Sequence, residues 1–168
     1  QAWLRVNLPS VELASGNQYS TNGRLRWTRN LMHNLISECC ITFNDLVAAR
    51  FDNYHLDFWA AFTVPAGKLN GYKNMIGDFD DLTSPHASGD AIPAYTLNLP
   101  LPFFFSRDSG VALPTAALPY NEMRITYSFR NWSELLILDD LSVAPPAVPS
   151  GPVSNLSYIN NGVAPQLQ

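Results

Sequence analysis

The sequence predicts an all-β fold, an antiparallel β-sandwich of the jelly-roll type with two short helices in its loops. Three observations carry that expectation. Several stretches alternate strictly between apolar and polar residues, the period of a strand with one buried face. Thirteen Pro and nine Gly are spread along the 168 residues and interrupt any long helix. Apolar residues make up 46% of the chain and aromatics 12%, against only 14% charged, which is ample for a packed core and excludes a disordered chain or a coiled coil.

Trp3-Leu4-Arg5-Val6-Asn7-Leu8 alternates as a strand from the first residues. Arg24, Arg26 and Arg29 make the early chain locally basic, but alternation with Leu25 and Trp27 makes them the outer face of a strand, with a carboxylate patch on a neighbouring subunit as an expected partner. From Glu38 to Phe51 two strands flank Asn44-Asp45, a dipeptide suited to a tight turn. Asp52 or Asn53 then caps a helix in which Leu56, Trp59 and Phe62 recur at spacings of three and which Pro65 stops. A second helix spans about Lys68 to Ile76, with Leu69, Tyr72 and Ile76 on one face and Gly77 placed to end it.

Asp78 to Pro93 and Arg107 to Asn121 are rich in turn residues and read as loops. Between them, Tyr95, Leu97, Leu99, Leu101, Phe103 and Phe105 stay in phase as one strand, although Pro100 and Pro102 remove two backbone donors and assign it to an edge or a bulge. Residues 122 to 130 form the clearest strand, with Met123, Ile125, Tyr127 and Phe129 on one face. The last charges are Asp139 and Asp140. The 28 residues from Leu141 to Gln168 carry five Pro and no charge, and read as a loop or linker.

Composition excludes several functions. A net charge of −4 gives no general attraction to phosphate backbones, so direct nucleic-acid binding is not expected. No apolar run approaches the roughly 18 residues a membrane-spanning helix requires. The two cysteines are the neighbours Cys39 and Cys40, whose side chains leave a strand on opposite faces; they read as apolar fillers, without a disulfide or a zinc site.

Asp108-Ser109-Gly110 resembles the turn that carries the carboxylate of an aspartic protease. The apolar strand such a site needs is interrupted by Ser106 and Arg107, and Arg107 would hold Asp108 ionised, so a polar turn braced by an Arg to Asp pair is preferred. Asp78, Asp80 and Asp81, with His86 and Asp90 nearby, lack the spacing of a calcium loop and read as a solvated loop. His33, His55 and His86 fall in separate elements and read as hydrogen-bonded structural residues. Asn131-Trp132-Ser133 and Asn155-Leu156-Ser157 are formal glycosylation acceptors, relevant only in a secretory setting. No residue is assigned as catalytic, cofactor-binding or metal-ligating, and no cofactor is expected.

Longer strings are more informative. Arg26 to Asn34, Gly71 to Gly77, Leu99 to Pro114 and Leu118 to Glu122 occur in an order that resembles the major capsid proteins of nucleocytoplasmic large DNA viruses, nearest the iridovirus-like branch, from about Gln1 to Asp140. The resemblance implies a double jelly-roll polypeptide, not an enzyme. Three copies would make a pseudo-hexagonal capsomer of an icosahedral shell, contacting neighbouring capsomers or minor capsid proteins in a virion assembled in the host cytoplasm. It also implies that residues 1 to 140 are most of the first jelly roll, incomplete at both ends, with 141 to 168 a variable surface loop, and that the aromatic stripe on 95 to 105 packs between the two sheets. The competing reading from another class is a jelly-roll carbohydrate-binding module, which needs two or three outward aromatics on one sheet; Tyr127 and Phe129 instead share the apolar phase, leaving Trp132 alone. An aspartic protease, the remote alternative, would lose activity on Asp108→Asn. With flanking strands missing, the 168 residues expressed alone are expected to expose sheet edges and aggregate; a soluble monomer with a sharp thermal transition would contradict this.

Overall fold

A computed structural model describes residues 1–118, 120–143 and 149–168; Pro119 of the quoted strings and residues 144–148 of the Pro-rich stretch lie outside them. The strands are β1 (Trp3–Leu8), β2 (Gly23–Trp27), β3 (Ile36–Phe43), β4 (Leu46–Asp52), β5 (Tyr95–Pro100), β6 (Met123–Phe129), β7 (Leu136–Asp140) and β8 (Ser150–Pro152). The α-helices are α1 (Leu31–Leu35), α2 (Asn53–Thr63), α3 (Leu69–Ile76), α4 (Asp80–Thr83) and α5 (Trp132–Leu135). All strand pairs are antiparallel and form three sheets, ordered β1-β5, β2-β7-β8 and β4-β3-β6.

The period-two pattern decides which faces meet. Leu25 and Trp27 of β2, Cys39 and Ile41 of β3, and Leu97 and Leu99 of β5 are fully buried in one apolar cluster, while Arg24 and Arg26 keep the outer face of β2. The β3–β4 hairpin closes through Asn44 and Asp45, both with positive φ (49° and 66°), the left-handed pair that matches strand twist in a two-residue loop. Without a Gly, the turn is held by the Asn44 amide, which donates to Asn121 and whose Oδ1 accepts from the Glu122 backbone N–H.

The expected strand over 95 to 105 ends at Pro100. Pro100 and Pro102 cannot donate to a ladder, so the chain leaves it and turns through Phe104–Ser106 in a 3-10 turn. Burial keeps the strand phase past that point, for Leu101 and Phe103 are as buried as Leu97 and Leu99. The stripe from Leu97 to Phe103 enters the core, though only its first half is hydrogen-bonded strand; Tyr95 before it is exposed and Phe105 after it half-buried, so the burial expected over 95 to 105 holds only for the middle of the stripe.

Helix content exceeds the two helices expected. Helix α1 hides all but one of its five residues, so it shows no amphipathic stripe. Helices α4 and α5 are single turns of four residues, too short for periodicity to register. Asp52 caps α2 as expected, its carboxylate accepting from the His55 backbone N–H at 2.9 Å. Its inward face is not the one the spacing of three suggested: Leu56 is buried, Trp59 is half-buried and Phe62 is exposed. Steps of three residues rotate backward by about 60° each on an α-helix, which places Phe62 about 120° from Leu56.

The stretch from Leu141 returns to the sandwich. Strand β8 pairs with β7, Val153 and Ile159 are buried, and Gln168 exchanges two backbone hydrogen bonds with Asn7 of β1.

Helices α1, α2 and α3 meet on His33. Its buried imidazole places Nδ1 2.5 Å from the Asp57 carboxylate of α2 and Nε2 2.7 Å from the Tyr72 hydroxyl of α3. The neutral ring satisfies both, with Nδ1–H donating to Asp57 and Nε2 accepting from Tyr72 O–H. Burial lowers the His33 pKa below its ordinary value, outweighing the opposing pull of Asp57 and Asp78. Burial likewise pushes the Tyr72 phenol up to about 12.

Two outcomes are expected. Gly77 ends α3 at φ 85°, and a Cβ there would lie 2.8 Å from Leu97 Cδ1. Gly77→Ala is expected to cost about 1–3 kcal/mol in denaturant unfolding of the full-length polypeptide, through left-handed strain plus displacement of Leu97. Because His33 in the folded state binds its proton less readily than in the unfolded chain, stability is full above about pH 6.5 and falls as pH drops below it. Thermal midpoints recorded between about pH 5 and 7 should show a shallower slope for His33→Gln than for the parent; equal slopes would mean that the folded and unfolded chains protonate His33 alike.

Candidate functional site

Most polar groups singled out by sequence have local structural partners. Asp108 caps a 3-10 turn over Ser109–Val111, its carboxylate accepting from the Ser109 backbone N–H at 2.7 Å. Arg107 does not brace it. The guanidinium lies 5.2 Å from the centre of the Trp59 ring, where stacking on an aromatic face replaces the expected Arg to Asp pair. Among the described residues, no ion pair joins Arg107 to Asp108.

The acidic segment is similarly engaged. Asp78 pairs with Arg29 at 3.3 Å, Asp81 accepts from the Tyr95 hydroxyl at 2.8 Å, and Asp80 sits in the first turn of α4. His86 contacts Asp90 through Nδ1 and donates from Nε2 to the Asp81 carbonyl. His55 lies parallel to the Trp59 ring at 6.1 Å. Among the described residues, no three His, Cys, Asp or Glu side chains converge as metal ligands. Arg26, expected to seek a carboxylate on a neighbour, finds one within the chain, Asp139 of β7, at 2.8 Å. The reason is register: Arg26 stands opposite Ile137, one diagonal step from Asp139 on the same face. Arg24 donates to the Thr21 and Gly23 carbonyls. Cys39 is buried, which pushes its thiol up to about 12, and Cys40 is half-buried; both are free. Asn131 and Asn155, the two sequon asparagines, accept from the Ser133 and Ser157 backbone N–H groups as helix and 3-10 caps.

One apolar face is less covered than its phase suggested. Tyr127 is half-buried and Phe129 is exposed, and the two rings stack nearly parallel at 5.6 Å.

Apolar surface remains among the described residues, and three stretches of it stand out. A cleft of about 640 Å³ opens between β1, α2 and the 100 to 107 segment, lined by Trp3, Leu56, Trp59, Phe103 and Arg107 among others. On α2, Tyr54, Phe58 and Phe62 form an exposed ridge, with the Phe58 and Phe62 rings 4.7 Å apart. At the β3–β4 turn Leu46 and Val47 are exposed, and across β3 so is Met123 of β6. Sequence reasoning missed the ridge because it followed spacings of three inward from Leu56. The signal was the spacing of four, which places Tyr54, Phe58 and Phe62 on one side, opposite Leu56.

The family described as major capsid protein N-terminus matches residues 1–160. The chain is 65% identical over 158 residues to the major capsid protein of Tipula iridescent virus, covering 91% of this chain and 33% of that protein. It is 50% identical over 142 residues to the major capsid protein of Frog virus 3 (isolate Goorha), covering 82% of this chain and 31% of that protein. The chain therefore spans about a third of the length of the curated relatives it matches. Among solved structures, a quasi-atomic model of the PBCV-1 virus capsid is similar with a TM-score of 0.59 at 14% identity, covering 98% of this chain and 33% of that one. At that identity the likeness speaks for the fold alone, one of the viral-capsid jelly-roll type. With the family model matched over residues 1–160 of the 168, this chain belongs to the major capsid protein N-terminus family.

Proposed function

We propose that this chain is the N-terminal part of a structural protein, the major capsid protein of an iridovirus-like large DNA virus, and that its work is contact between subunits. The single observation that carries the reading is the family match over residues 1–160, joined to a fold shared with a virus capsid. In this reading residues 1 to 140 make most of the first of two jelly rolls, and the stretch after them packs back on it through β8, Val153 and Ile159. Three copies form a pseudo-hexagonal capsomer, capsomers meet one another and minor capsid proteins, and the shell is icosahedral, assembled in the host cytoplasm and retained in the virion.

No catalytic step is part of the proposal. Asp108, whose turn resembled that of a protease, caps its own 3-10 turn, and Asp78 of the acidic segment pairs with Arg29. A sugar platform finds no support in a Tyr127 and Phe129 pair that stacks on itself.

Expressed from the complete reading frame that contains these residues, the protein is expected to sediment as a trimer, and an antibody raised against residues 95–114 should label purified, permeabilised particles. A strictly monomeric full-length protein, or particles devoid of the epitope, would refute the reading.

A further inference from the structure

We infer that the cleft between β1, α2 and the 100 to 107 segment is a binding site for a small aromatic acid, a planar ring carrying one carboxylate or phosphate group. The site lies within a single chain, and the inference goes beyond the assembly reading above.

The walls are built and held by these residues alone. Leu56, Trp59, Ala60 and Thr63, spaced to share one face of α2, form one side, and the Asp57 bond to His33 fixes the rotation of that helix. On the other side Phe103 is anchored in the core, and the Leu101 N–H donates to the Ala2 carbonyl at 3.0 Å, which fastens the 100 to 107 segment to the start of β1. A concave space of about 640 Å³, fixed before anything enters it, has the size and form of a small-molecule site, roughly 300–1,000 Å³.

Charge and polarity decide what fits. The chain carries 14 acidic against 10 basic residues, yet no Asp or Glu lines this cleft, and its charged side chains, Lys68 and Arg107, are both cations. Among the described residues neither makes an ion pair. Arg107 lies with its guanidinium over Trp59, which occupies one face of the planar group and leaves the N–H donors at its edge open to an anion. Ser106 also lines the cleft, and its hydroxyl is buried with no hydrogen-bond partner among the described residues. A buried hydroxyl left unpaired is destabilising and rare, and an acceptor on a ligand would satisfy it. Trp3 supplies the ring face, for it is 50% exposed at the mouth of a wall that Leu56 and Phe103 make apolar. The two cations and the hydroxyl select an anionic group; the apolar walls select an uncharged body flat enough to lie on an indole.

The test is equilibrium dialysis of the complete polypeptide against 1-naphthoate, 1-naphthyl phosphate, neutral 1-naphthalenemethanol and cationic 1-naphthylmethylammonium. Saturable binding of at least one anion is expected, with the neutral and cationic probes about tenfold weaker or more, as loss of charge-assisted hydrogen bonds implies. Whichever anion binds more tightly names the acidic group. Lys68→Gln and Arg107→Gln should each weaken the anion about three- to tenfold and leave the neutral probe unchanged. Ser106→Ala should also weaken the anion, while the thermal midpoint of the unliganded protein holds or rises, because the hydroxyl has no other partner. Phe62→Ser, on the exposed ridge outside the cleft, controls for adsorption there and should bind like the parent. Equal binding of anionic, neutral and cationic probes, or anion binding unmoved by Lys68→Gln and Arg107→Gln, would overturn the inference. Absence of saturable binding would overturn it too and would assign the cleft to the rest of the polypeptide; a trimer on sedimentation of the same preparation would then leave the assembly reading standing.

Discussion

The structure depends on burying one alternating stripe, Leu97, Leu99, Leu101 and Phe103. Each such side chain removed from water contributes about 1.5–3 kcal/mol, so the four together match the whole net stability expected of a domain, about 5–15 kcal/mol. The stripe also organises its surroundings. Leu97 limits the space at Gly77, where α3 must end, and Phe103 packs edge-on against Phe51 of β4 while stacking on Phe105. Since Pro100 and Pro102 stop the ladder in the middle of the stripe, side-chain burial rather than backbone pairing holds its second half. That leaves the backbone free to turn at Phe104 and to carry Arg107 onto Trp59 of α2.

A chain with so few charges uses its ion pairs as stitching. Asp139 is buried, and a buried carboxylate is tolerated only when paired and hydrogen-bonded. Arg26 approaches it from β2 and the Ser150 hydroxyl from β8, so one carboxylate on β7 ties all three strands of its sheet. The same logic governs His33, whose two ring nitrogens link three helices. These polar nodes add register and orientation to a core that apolar burial alone would leave less specified.

Strands and caps were legible because each is a local device. Alternation marked β1, β2 and β6, the Asn44-Asp45 pair marked the hairpin, and Asp52 and Gly77 marked the ends of α2 and α3. The extent of β5 was hidden because its apolar phase outlives its hydrogen bonds, and α1 because burial on nearly all sides erases the helical period. The Arg26 partner was invisible for a different reason, a separation of 113 residues that only strand register resolves. The aromatic ridge lay between these cases. Its spacing of four was plain, yet an aromatic at helical spacing reads by default as core, and only the position of Leu56 shows that Phe58 and Phe62 face away.

The sheet β4-β3-β6 explains why association would use side chains rather than strand edges. Its outer strands are β4 and β6, where an unpaired ladder invites indiscriminate pairing with other chains. Both carry exposed arginines held near carboxylates: Arg50 is 3.8 Å from Glu38, and Arg124 is 2.8 Å from Glu122 and 3.7 Å from Asp45. Charges along an edge oppose the addition of a foreign strand, and pairs this exposed add little to stability, so their placement matters more than their energy. The exposed apolar side chains of these two strands stand at the ends of their ladders, Leu46 and Val47 of β4 and Met123 and Phe129 of β6, and leave the charges between them. Edges that resist foreign strands in this way leave recognition to side chains, which discriminate by shape where a bare ladder does not.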